Sequence, residues 1–259
     1  QMAASIPPPD APVLLAADAH YNKIDESLSM RAGWVSGLHG LLGSGIENLL
    51  RCLFGACDTC QMDTPAGKTL LSNPGAAIRA GIGYVPSERF HAIVPHMSVR
   101  DNIVLPHLQH FARIGGTINR RALDAAVAPL MARLGIRPDN PTLAAGSLSG
   151  GNQQKLLFAR WMMGTTHTLL LDEATHGVDI GAKALIKSQI REFAARGGAV
   201  LMHSVEIEDL AELVDELYLM IGNKLSAPQQ RPTSGYDLAG LKGQMSLIDP
   251  TITHAEHAQ

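Results

Sequence analysis

The apolar positions of this chain fall into two rhythms. In the C-terminal half, "TLLLDE" (168–173), "AVLMHS" (199–204) and "ELYLMI" (216–221) are apolar almost throughout. The stretches between them have helical spacing. Strands that are apolar on both faces need cover on both faces, so this alternation predicts a parallel sheet between layers of helix. Earlier, "VLLAADA" (13–19) and "WVSGLHG" (34–40) read as strands, and "GIGYVP" (81–86) as a short strand ended by a proline. In "GIENLLRCLFG" (45–55), Leu49, Leu50, Leu53 and Phe54 share one face of a helix. From Ser98 to Gly135 the pattern is mostly helical, with breaks expected at "PH" (106–107) and "GG" (115–116). The Pro- and Ala-rich opening, 1–12, reads as a linker or arm. The end, 234–259, has weak periodicity and reads as frayed over its last residues.

Composition narrows the class. With 259 residues, 46% hydrophobic and 17% charged, the chain is globular and long enough for one large domain or two small ones. A formal net charge of −3 gives no basis for general binding to nucleic acid or an anionic membrane. No apolar run approaches the length of a membrane span, and no signal peptide opens the chain. Three cysteines, Cys52, Cys57 and Cys60, are few and odd in number, as expected of reduced thiols in a cytoplasmic protein. The lone "CDTC" (57–60) lacks the second pair that a structural zinc requires. Gln1 ahead of Met2 implies a tag remnant or a piece of a longer chain.

The candidate chemistry begins at "GLLGSGIENLL" (40–50), which lies between a strand and a helix. That is the context of a phosphate-binding loop, G-x-x-x-x-G-K-[ST]. Ile46 stands where the lysine belongs, and Glu47 where the Mg²⁺-holding hydroxyl belongs. "LLLDE" (169–173) puts Asp172 and Glu173 at the C-terminal end of a buried strand, suited to a Mg²⁺ ligand and a water-polarising base respectively. "SLSGGNQQK" (147–155) places a serine and two glycines at a helix start, where backbone N–H groups and the helix dipole favour a phosphate.

The ordered set of glycine loop, L-S-G-G-x-Q and apolar strand plus Asp-Glu resembles an ATP-binding cassette, the nucleotide-binding domain of ABC transporters. "LSGGNQQK", "LFGA" (53–56), "AIRAGIGYVPSER" (77–89), "SVRDNIVLP" (98–106) and "DEATHGVDIGAK" (172–183) resemble the second, C-terminal cassette of tandem importers for ribose, galactose, xylose and related solutes. The resemblance runs over 13–225. It implies an α/β fold of the phosphate-loop NTPase type, with a mainly parallel core sheet, an antiparallel β part, a helical signature subdomain at about 98–164, and a C-terminal extension at 226–259.

Residue by residue, Gly40, Gly43, Ser44 and Gly45 match the phosphate loop, from which Ile46 and Glu47 depart. Ser149, Gly150, Gly151, Asn152 and Gln153 match the signature, which in this family acts on the nucleotide of the opposite cassette. Asp172 matches the metal-binding acid and Glu173 the catalytic one. Asp179 matches the loop that meets the partner. Ser87 and Val205 stand where most cassettes place a Mg²⁺-sensing glutamine and a γ-phosphate-sensing histidine. Tyr21 is a candidate for stacking on adenine, with simple packing as the plain alternative. His203 lies two residues before Val205 on the same strand face and reads as a strand-end histidine satisfied locally, as does His39 beside the loop. His96, His107 and His110 have no metal-ligand spacing.

The expectation is therefore an ABC-type ATPase component on the cytoplasmic face of the membrane, with ATP and Mg²⁺ as ligands and a weak own site. Its expected partners are a second cassette, transmembrane permease subunits and, indirectly, a solute-binding protein; nucleic acid is not among them. The isolated chain should be a monomer with little or no activity. "SERFHAIVPHMSV" (87–99), with Phe90, Ile93 and Val94 exposed, should form part of the permease-docking surface. The competing readings are a soluble cassette ATPase outside transport, and a catalytically dead regulatory cassette.

Overall fold

The computed structural model describes residues 7–17, 28–41, 43–57, 60–64, 67–113, 116–221 and 224–248. Two sheets organise them. Strands β1 (Val13–Ala17), β2 (Leu28–Arg31), β4 (Cys60–Thr64) and β5 (Gly67–Leu71) form an antiparallel sheet in the order β2-β1-β4-β5. Strands β3 (Val35–Gly40), β6 (Ile82–Val85), β7 (Thr168–Asp172), β8 (Ala199–His203) and β9 (Glu216–Ile221) form a parallel sheet in the order β9-β3-β8-β7-β6. The short β10 (Lys224–Leu225) and β11 (Gln229–Gln230) pair antiparallel with β9.

Every residue of β3, β7 and β8 is buried, so the parallel sheet has cover on both faces. On one side Leu49, Leu50 and Leu53 of helix α1 (Ile46–Leu53) pack with residues of the antiparallel sheet, among them Leu15, Met30 and Leu71. On the same side lies α2 (Pro74–Arg79), whose Ala77 joins that core. On the other lie later helices: α3 (Arg89–Ala92), α4 (Val99–Val104), α5 (Arg120–Arg133), α6 (Gly150–Met162), α7 (Ile180–Ala195), α8 (Ile207–Leu213) and α9 (Leu238–Ile248) complete the set. Of these, α4 to α8 contribute Ile103, Val127, Phe158, Ile186 and Leu210 to the larger core.

Between β6 and β7 the chain leaves the sheet and builds α3 to α6. Two buried polar side chains hold this excursion together. Asn102 accepts the Val94 N–H through Oδ1 at 2.9 Å and donates through Nδ2 to the carbonyls of Val94 at 3.0 Å and Ser98 at 3.1 Å. Arg160 of α6 donates Nε to the Asn102 carbonyl at 2.9 Å and Nη1 to the Ala92 carbonyl at 3.0 Å. Burial pushes its guanidinium down to about 10.

At "PH" (106–107) the α-helix Val99–Val104 gives way to a 3₁₀ helix, Leu105–Phe111, with Pro106 in its first turn where a missing N–H costs nothing. Within the C-terminal stretch, Leu238–Ile248 forms α9, and Leu241 is buried against the core. Two expectations need correction. Cys52 and Cys57 are joined as a disulfide rather than standing as free thiols. In the segment 87–99, Phe90 is 79% exposed, but Ile93 is only 6% exposed and Val94 is half-buried, because Asn102 draws that backbone inward. Tyr21 lies outside the described residues.

Replacing Asn102 with leucine keeps the volume and removes every side-chain bond to Val94 and Ser98. Each buried group left unpaired costs about 1–3 kcal/mol. Asn102→Leu is expected to lose about 3 kcal/mol in urea denaturation and to make the 87–99 segment more open to limited proteolysis.

Candidate functional site

The parallel sheet delivers three chain ends to one edge. In register, Leu38 of β3 pairs with His203 of β8, and His203 pairs with Asp172 of β7. The loop after β3, the acids after β7 and the histidine ending β8 therefore converge without any further device.

The loop after β3 keeps the backbone of a phosphate cradle. Gly43 and Gly45 have φ of +82° and +93°, a region that favours glycine. The loop closes tightly on Gly40, where a Cβ would stand 2.6 Å from the Met220 carbonyl and 2.8 Å from both Ser44 Oγ and Ile46 Cδ1. Ile46 is 3% exposed and belongs to the smaller core, so an apolar side chain fills the loop's inner face. Glu47 turns the other way, 67% exposed, with Arg51 Nη1 3.7 Å from its carboxylate.

At the end of β7, Asp172 Oδ1 lies 2.7 Å from His203 Nδ1, and the Tyr84 hydroxyl donates to Oδ2 at 3.4 Å. Glu173 has a φ of +51°, which costs a non-glycine residue roughly 1–2 kcal/mol. Its N–H donates to the His203 carbonyl at 3.1 Å. Its carboxylate accepts the Val205 N–H and stands 3.8 Å from His203 Nδ1. Burial pushes this carboxyl above the usual range, against the Val205 N–H and His203. The loop beyond is held by Thr175, which donates to Asp209 Oδ2 at 3.0 Å, and Lys183 reaches the same oxygen at 2.7 Å.

His203 is thus satisfied locally, as its position suggested, but its partner is the acid expected to hold a metal. His39 Nδ1 lies 3.0 Å from the Ser204 carbonyl, and burial lowers its pKa. Val205 is 49% exposed beyond the strand, and Ser87 is exposed after β6.

At the start of α6, Ser149 is the N-cap residue, yet its side chain caps no backbone N–H. Its Oγ accepts from Asn152 Nδ2 at 2.9 Å, while Asn152 Oδ1 accepts the Arg137 N–H at 2.9 Å. Gln153 Nε2 donates to the Leu148 carbonyl at 3.2 Å. The first turn of the helix therefore leaves backbone donors without side-chain acceptors, the condition for receiving an anion. Asp179 caps α7 by accepting the Ala182 N–H at 2.8 Å, and Ile180 beside it is 88% exposed. Sequence reasoning passed over Tyr84, Arg89 and the Thr175–Asp209–Lys183 network. "SER" (87–89) carried a cation beside the signature only once the fold was known.

Comparison with known proteins gives this arrangement a context. The family model described as "ABC transporter" matches residues 24–176. A protein of Chromobacterium violaceum named "Ribose import ATP-binding protein RbsA" is 41% identical over 89% of this chain and 45% of its own length. "Xylose import ATP-binding protein XylG" of Burkholderia cenocepacia is 40% identical over 79% of this chain and 40% of its own. The chain thus spans under half the length of these relatives. Among solved structures, the ADP conformation of MJ1267, an ATP-binding cassette of an ABC transporter, superposes with a TM-score of 0.71 at 18% identity, over 96% of this chain and 100% of that one.

His203→Ala is expected to leave Asp172 buried with one long contact, and so to destabilise the fold by about 1–3 kcal/mol. His203→Gln, whose amide can still donate, should lose less. Thermal unfolding followed by circular dichroism compares the two.

Proposed function

We propose a function from the premise that the chain belongs to the ABC transporter family: it is the ATP-binding component of an importer for ribose, xylose or a related monosaccharide. In this reading its signature completes the ATP site of a second cassette, while its own site binds nucleotide weakly. The observation that carries it is a contrast. The inner face of the phosphate loop is filled by Ile46, whereas the N-terminus of α6 has backbone donors that no side chain caps.

The own site does not fit Mg²⁺ with a triphosphate. Asp172 is bonded to His203, Glu47 faces away beside Arg51, and position 46 itself carries an isoleucine in place of the lysine. A charge-assisted hydrogen bond is worth roughly 1.5–3 kcal/mol, or about ten- to a hundred-fold in affinity. A missing lysine forfeits such contacts, and Glu47 adds a like charge near the loop. The glycine cradle remains useful for another reason, since Gly40 allows the loop to close on β9 and Ile46.

The partners in this reading are the second cassette and two membrane-embedded permease subunits, with a solute-binding protein acting through them. The chain sits at the cytoplasmic face of the membrane, and among the described residues no helix is long and apolar enough to cross it. Phe90 suits the permease-docking surface. Asp179 and Ile180 would face the second cassette.

The isolated chain is expected to hydrolyse ATP well below about 1 s⁻¹, the low end of ordinary enzyme turnover. Steady-state phosphate release checks this. Ile46→Lys with Glu47→Thr should raise Mg·ATP affinity about ten- to a hundred-fold, and calorimetry on the two proteins reads the difference. In the importer reconstituted in lipid, Gly150→Asp should abolish uptake and hydrolysis, while Glu173→Gln should be far milder. Equal damage from the two would show that the own site turns over.

A further inference from the structure

Arg89 opens α3, two residues after Ser87, and sits where the signature meets the loop that follows the strand-end acids. Its guanidinium lies flat on Gly150: a Cβ built there would stand 3.6 Å from Nη1 and 3.7 Å from both Cζ and Nη2. Nη2 also comes within 3.4 Å of the Cβ position of Gly177, whose φ is +64°. The side chain is half-buried, and among the described residues its one hydrogen bond is long, from Nη1 to the Gly150 carbonyl at 3.4 Å. Among the described residues no carboxylate lies within ion-pair distance of it, in contrast to Arg191, which holds Asp215 at 2.9 Å. Most donors of this planar guanidinium are thus unused within the chain and, unlike Nη2 of Arg160, are open to solvent and to an incoming anion.

The surroundings show what the cation is suited to meet. It overlies the first residue of α6, whose backbone donors lack side-chain caps. Asp179 Oδ2 stands 3.4 Å from the Cβ position of Gly151, the next residue of the signature. That carboxylate would repel a triphosphate arriving at the signature, and a guanidinium beside it offsets the repulsion. Phosphoryl transfer spreads charge over the terminal phosphate oxygens, and an arginine supplied from a facing subunit stabilises that charge.

We propose that Arg89 is a catalytic residue acting in trans, its guanidinium contacting the γ-phosphate of the ATP held by the second cassette. The proposal rests on the reading that this signature serves the partner's site. It also gives Arg89 a position between the segment assigned to the permease and the phosphate it contacts.

The test uses the importer reconstituted in lipid with both cassettes and the permease, and the variants Arg89→Gln, Arg89→Lys and Gly150→Asp. The readouts are kcat and KM for Mg·ATP, the amount of nucleotide trapped by vanadate, and the Tm of the complex. Arg89→Gln should lower kcat about ten- to a hundred-fold, with trapping reduced in parallel and Tm unchanged. Arg89→Lys, which keeps the charge but not the planar fork, should show an intermediate loss. Wild-type kcat and trapping in Arg89→Gln, with Gly150→Asp inactive, would overturn the role of Arg89 and leave the trans reading standing. An active Gly150→Asp would overturn both. If Arg89→Gln fails to assemble, Arg89→Lys decides: a folded complex with reduced kcat and trapping supports the proposal, and one with wild-type values overturns it.

Discussion

The in-register parallel pairing of β3, β8 and β7 is the constraint on which the rest of this molecule depends. Backbone hydrogen bonds align Leu38 with His203 and His203 with Asp172, so three loops leave the sheet side by side. Those strands are buried on both faces, and a slip of one residue would turn each side chain to the opposite layer. The register is therefore secured by core packing far from the site. The side chains at the strand ends inherit that precision, including the 2.7 Å contact between His203 and Asp172.

The helical excursion between β6 and β7 solves a different problem. It carries the signature away from the sheet and sets it beside Asp179 and, through Arg89, the loop that follows the acids. Its anchors are Asn102 and Arg160, whose partners are mostly backbone carbonyls rather than carboxylates. Such bonds fix loop shape by tying separate backbone segments to one side chain. They set the path of 87–99, leaving Phe90 in solvent and Arg89 against Gly150. A docking surface and a signature edge are thus two faces of one short segment.

Much of this was legible in the pattern of residues. The buried strands at 168–173, 199–204 and 216–221 follow from their unbroken apolar character, and the ordered motifs are sufficient to identify the family. The replacement of lysine by Ile46 is also plain from the loop's spacing. Less legible were features with weak local signals. The antiparallel strands β2 (LSMR) and β4 (CQMDT) alternate over only four and five residues, too few to stand out, and β5 (GKTLL) does not alternate at all; they are held by packing on α1 and by one another. Helix α9 has too mild a period to stand out. The Cys52–Cys57 link is a consequence of the turn after α1, not of the C-x-x-C spacing that drew attention to Cys57 and Cys60.

By itself the sequence determined the class of fold, the family and the identity of the residues at each motif position, because these depend on periodicity and order along the chain. It also determined that the phosphate loop lacks its cation. Only the tertiary structure decided where the side chains of those residues go. Ile46 points inward and Glu47 outward because a helix start places successive residues on different faces, one toward the core and one toward water. His203 meets Asp172 because two strands 31 residues apart pair in parallel. Arg89 reaches Gly150 across 61 residues of chain because Asn102 and Arg160 bend the segment between them. Such long-range contacts depend on how the core closes, and no local pattern of residues encodes them.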